Sequence, residues 1–142
     1  MKNILSMFLC SLLLLGLSCK DGERPAEGPS QMERVLAVHD EVMPKMGHLG
    51  KLVGQLKGKV DSTEAGKQYE TAMKDLQQAH VAMSDWMKNF GDRFDHGEIM
   101  GNMELSAQKQ EWLDQEEEKV EALRDQINGS IERAEALLAK EE

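Results

Sequence analysis

Two apolar seams with alternating three- and four-residue spacing dominate the chain. The first runs through Met32, Val35, His39, Val42, Met46, Leu49, Val53, Leu56 and Val60. The second runs through Tyr69, Met73, Leu76, His80, Met83, Met87, Phe90 and Phe94. That spacing belongs to helices packed lengthwise and does not fit the two-residue alternation of a half-buried strand. The seams also match when one is read backwards. The matched layers are Val60 with Tyr69, Leu56 with Met73, Val53 with Leu76, Leu49 with His80, Met46 with Met83, Val42 with Met87, His39 with Phe90 and Val35 with Phe94. An antiparallel helical hairpin is therefore expected.

Local signals set its ends. Ser30 with Glu33 reads as a capping box, and Asp61-Ser62-Thr63 as the turn that caps the second helix. Pro44 lacks an N–H inside the first helix, but the apolar phase continues past it, so a kink is expected. Gly47, Gly50, Gly54 and Gly58 share one flank of that helix, and Ala72, Ala79 and Trp86 share a flank of the second. Either a third helix approaches these flanks closely or the glycines loosen an exposed face. Residues 91–101 read as a connection. A third amphipathic pattern follows with Leu113, Val120, Leu123, Ile127, Ala134 and Leu137, and Asn128-Gly129-Ser130 as a weak spot. Its register stays open, because Leu123 can face either Leu76 or Met83. The expected fold is all-α: the hairpin plus a third helix in an elongated three-helix bundle, with helices over 31–60, 64–94 and 103–140 of a domain spanning 31–142.

The start of the chain reads as an address. Lys2 precedes an apolar run from Ile4 to Leu17, within the range of about 7–15 residues typical of a signal-peptide core and short of the roughly 20 needed to span a bilayer. Gly16-Leu17-Ser18-Cys19 resembles the lipobox of bacterial lipoprotein signal peptides, with Gly16 where leucine is commonest. The resemblance implies cleavage after residue 18 and a diacylglyceryl group on the Cys19 thiol. Cys10 falls in the removed part, so Cys19 would be the lone thiol of an exported chain, a liability that acylation removes. Residues 19–30, with Pro25 and Pro29, read as a lipidated flexible tether. The expected location is the cell envelope, attached through palmitate-type acyl chains to the outer membrane, with the side left open.

The chain is acidic, with 17 Lys and Arg against 26 Asp and Glu. No basic cluster offers a footprint for nucleic acid or for an anionic membrane surface. Catalytic patterns are missing too: Ser84, Ser106 and Ser130 sit on helical surfaces, and there is no metalloprotease motif or phosphate-binding loop. No enzymatic activity is expected. Glu116-Glu117-Glu118 reads as a solvated helix face. Asp92, Asp95, His96 and Glu98 read as a solvated loop, since they lack calcium-loop spacing. Methionine is the outlier. His39, Met43, Met46, His80, Met83 and Met87 gather along the paired seams, and thioethers with imidazole suit Cu(I). A methionine stripe at helical spacing is more often packing, so copper buffering stands as the alternative. The leading expectation is an interaction or structural module that engages an envelope protein through the flank around Trp86 and Trp112 or through the acidic third helix.

Three stretches resemble a family of small, uncharacterised Bacteroidota lipoproteins, some of which carry the label "viral A-type inclusion protein". They are the HDEVMPKM run from His39 to Met46, the Met83-Ser84-Asp85-Trp86-Met87 segment with Phe90, and the run from Leu123 to Ile131. The resemblance implies a lipid-anchored helical protein and carries no activity, ligand or catalytic residue.

Overall fold

The computed structural model describes residues 29–101 and 103–141. The expected signal peptide, Cys19 and most of the tether lie outside them. The fold is all-α, with no strand among the described residues. Its elements are α1 (Gln31–Val42), a 3-10 turn (Met43–Lys45), α2 (Met46–Lys57), α3 (Glu64–Arg93), α4 (His96–Ile99) and α5 (Ala107–Leu138), closed by a 3-10 turn at Ala139–Glu141.

The expected simple three-helix bundle needs two corrections. The first rod is fused from three pieces, and a short fourth helix occupies the connection. Pro44 causes the first change. Its missing N–H and its ring disrupt one α-turn, and the chain passes it as a 3-10 turn in which Met46 N–H bonds Met43 O. The second change follows from a capping box. Asp95 and Glu98 satisfy both ends of one turn, with Glu98 Oε2 accepting from Asp95 N–H at 2.8 Å.

The remaining ends follow the side chains that can cap them. Ser30 and Glu33 form the expected box on α1, Thr63 accepts from Gly66 N–H at 3.0 Å to start α3, and Ser106 accepts from Lys109 N–H to start α5. The third helix therefore begins at Ala107 and not at residue 103. It runs unbroken through Asn128-Gly129-Ser130.

Three seven-residue series make the core. Val35, Val42, Leu49 and Leu56 on the first rod, Leu76 and Met83 on α3, and Leu113, Val120, Ile127 and Ala134 on α5 are each at most 2% exposed. Burying each large side chain contributes roughly 1.5–3 kcal/mol. α1 and α2 run parallel to α5: Gln31 bonds Asp114, Arg34 bonds Glu117 and Lys45 bonds Asn128, all 83 residues apart. α3 runs antiparallel to α5, tied by Arg93 to Glu116 and by Arg133 to Asp75. Those ties bring Leu123 level with the Met83 turn of α3, which settles the open register in favour of Met83 over Leu76.

The hairpin layers hold near the turn and fail beyond Pro44. Lys59 lies over the Tyr69 ring at 5.9 Å, and Leu49 and His80 border one shallow groove. Past the 3-10 turn, however, α1 runs beside α5 while α2 runs beside α3. Met87 is 37% exposed although Val42 is sealed, so that expected layer does not form. His39 stacks on Trp86, one turn short of Phe90. The physical reason is the third helix. α5 packs along α3, where Ala72, Ala79 and Trp86 are buried and Met73, His80 and Met87 lie toward the edge. The glycine flank of α2 stays open: a Cβ added at Gly47, Gly50 or Gly54 would meet nothing within 4 Å.

Candidate functional site

The residues expected to form a partner surface separate. Trp86 is 5% exposed and belongs to the core, a correction to its expected surface role. Its ring lies between His39 at 5.8 Å and Phe90 at 5.0 Å, and Phe90 continues to Phe94 at 4.9 Å. Its Nε1–H has no hydrogen-bond acceptor among the described residues. Trp112, by contrast, keeps a partly open ring near the start of α5. The Arg93 guanidinium covers it at 5.5 Å, within cation–π range.

Arg93 also reaches the least expected residue of the molecule. Glu116 is 0% exposed, which corrects its reading as part of a solvated face. It stands three residues after Leu113 and seven before Leu123, so it occupies a seam position where an apolar side chain is expected. Its Oε1 accepts from Arg93 and Lys119, both at 2.8 Å, while Oε2 is enclosed without a partner among the described residues. Ser130 fills another seam position and satisfies its hydroxyl by donating to Ile127 O at 2.9 Å. Both could have been found by extending the heptad through α5 without regard to residue polarity.

The methionine and histidine set does not present one lining. Met83 is fully buried, Met43 and Met46 are half-buried, and Met87 is exposed. His39 bonds Asp40 at 2.9 Å and stacks on Trp86, whereas His80 is exposed beside Val53 and Gln77. No group of three or more His, Cys, Asp or Glu side chains among the described residues is placed to hold a metal.

The acidic connection is engaged locally. Asp92 pairs with Lys88 at 3.1 Å. Glu98 is nearly buried and bonds the Lys109 ammonium at 2.6 Å, and Asp95 shares the same ammonium at 3.3 Å. The Lys109 hydrogen bond, then the Asp95 N–H, hold the Glu98 carboxyl below the usual carboxylate range. Glu117 is lowered likewise, first by its hydrogen bond from Arg34.

Two grooves flank the bundle ends. One, of about 450 Å³, lies between the start of α3 and the end of α5, with Ala72 and Leu137 as floor and Lys67, Arg133 and Asp75 at its edges. The other, of about 660 Å³, lies where residue 29 enters α1, with Met32, Leu36 and Leu113 below and Ile99, Met100 and Met103 beside it. Comparison with known proteins gives no matching family model, curated protein or solved structure.

Proposed function

We propose that this chain is a lipid-anchored protein of the cell envelope, held to the membrane through acylated Cys19 and acting without catalysis as an interaction or structural module. The observation that carries the reading is the order of the first residues: Lys2, an apolar run, Gly16-Leu17-Ser18-Cys19, then an abruptly polar stretch. Removing residues 1–18 leaves a single thiol at the first position of the mature chain. Two or three acyl chains there, at about 0.8 kcal/mol per buried methylene, hold a chain of this size stably on a bilayer.

Features of the helical domain support the second half of the reading. No helix among the described residues is long and apolar enough to cross a membrane. The domain offers a long acidic face on α5, with Trp112 at its border, as a surface for a partner. The mass of the N-terminal peptide tests the anchor directly. A diacylglyceryl-modified Cys19 in membrane extracts, with Cys19→Ala released into the soluble fraction after processing or retained as precursor, supports the reading. An unmodified Cys19 in membrane-extracted protein overturns it. For the module, crosslinking in intact envelopes followed by purification should return a defined protein with links at α5. Recovery of bulk lipid and abundant porins alone empties that half of the proposal.

A further inference from the structure

The groove at the entry of α1 carries Ser30 on one side and Ile99, Met100 and Met103 on the other. Met100 and Met103 are each 59% exposed, the most open of the large apolar side chains among the described residues. Met103 is also seated. It lies against Gly97, where an added Cβ would come within 2.7 Å of its Sδ. Gly101, at a φ of 72°, turns the chain between the two thioethers.

We propose that this tip is a second membrane contact, in which Met100 and Met103 enter the apolar edge of a lipid bilayer beside the anchor. The inference rests on the acylated Cys19 proposed above. Ten residue steps separate Cys19 from residue 29, a reach on the order of 35 Å at full extension. They join the domain at this groove and not at the opposite end of the bundle. A surface held that close is present at high effective concentration, so a contact too weak to recruit a free protein is enough to orient a tethered one. Thioether side chains are flexible and polarizable, and they adapt to a surface without fixed shape. Charge selects the lipid. Exposed Asp95 and Glu104 flank the tip, and the nearby Lys109 ammonium is already taken by Glu98 and Asp95, so zwitterionic headgroups fit and anionic ones are repelled.

The test uses the full acylated protein in phosphatidylcholine–phosphatidylethanolamine vesicles. With the Cys19 sulfur blocked as a thioether, a single new thiol at Met100→Cys or Met103→Cys carries a polarity-sensitive dye, and Val81→Cys, itself 56% exposed, serves as reference. The expected result is a blue-shifted emission and severalfold stronger quenching by spin-labelled lipid at both tip positions than at position 81, weakened by added phosphatidylglycerol. Water-like emission at all three positions on acylated, vesicle-bound protein overturns this inference and leaves the anchor standing. A blue shift without lipid quenching, together with crosslinked pairs, assigns the tip to a second copy and overturns it too. An unacylated N-terminal peptide removes the anchor and this inference together.

Discussion

At the residue scale, two positions decide more than their side chains suggest. Gly66 sits in the first turn of α3 under the Asp61 loop, where an added Cβ would collide with Asp61 Oδ1 and meet the Asp61 backbone at 2.6 and 2.7 Å. Backbone cannot retreat there without dismantling the turn that Asp61 and Thr63 build. Gly66→Ala should therefore cost about 1–3 kcal/mol, read as a lower urea midpoint at unchanged slope. Glu116 is the opposite case, a polar group in an apolar position. Its charge is offset by Arg93 and Lys119, yet one oxygen stays unbonded in the core. Removing Arg93 leaves the buried carboxylate to the half-exposed Lys119 and its desolvation less offset, while replacing the carboxylate by an apolar group of similar size removes the penalty altogether. Arg93→Ala should thus destabilise by about 3 kcal/mol, toward the lower end for a buried pair because Arg93 is partly solvated. Glu116→Met should be neutral or stabilising. Denaturant titration of the two variants side by side checks the order. Glu116→Met as the more damaging of the two would contradict the account.

At the element scale, the helices were readable because their signals are local. Ser30 with Glu33 and Thr63 cap where their hydroxyls can reach a backbone N–H, and Pro44 interrupts where it must, whereas Ser106, read as a helical surface residue, turns out to cap α5. The contact faces were only half readable. A seam read from one helix pair assumes one neighbour, and α3 has two. Ala72, Ala79 and Trp86 are buried while His80 and Met87 face outward, which breaks up the methionine and histidine set. Nothing in α3 itself carries that information, because it depends on where α5 docks. The short α4 escaped for a different reason. Asp95 and Glu98 read as part of a solvated loop, but their spacing is that of a capping box. The glycine flank of α2 now makes a prediction of definite sign. Gly50 and Gly54 have helical neighbours and open space where a Cβ would go, so Gly50→Ala and Gly54→Ala should each stabilise by about 0.5–1 kcal/mol through the lost flexibility of the unfolded chain. Thermal melts of the single and double variants test this, and a fall in melting temperature would mean that something packs on that face.

At the scale of the whole molecule, the acidic surplus is tied into the fold by carboxylates that join separate elements or brace a turn. Glu117 of α5 holds Arg34 of α1 at 2.8 Å, Glu98 of α4 holds Lys109 of α5 at 2.6 Å, and Asp61 organises the hairpin turn through Thr63. Each of these carboxyls lies below its ordinary value, because hydrogen bonds from Arg34, from Lys109 and from the Thr63 hydroxyl favour the ionised form. A carboxyl with a lowered folded-state pKa stabilises the native state above its unfolded value and loses that contribution as pH falls through the folded value. The ordinary values are 4.5 for Glu and 3.8 for Asp, so stability should be level near neutrality and fall as pH drops below those values. Relief of general repulsion among the 26 acidic residues acts in the opposite direction over the same range, but it is spread over solvated side chains and screened by salt. A paired comparison separates the two effects. Glu98→Gln, which keeps the shape and loses the charge on Lys109, should be less stable than the parent at pH 7, with the difference shrinking as pH falls below the ordinary glutamate value and the parent carboxyl itself becomes protonated. Urea midpoints of both chains across that range measure it. A difference that stays constant with pH would mean that the Glu98–Lys109 pair contributes shape alone.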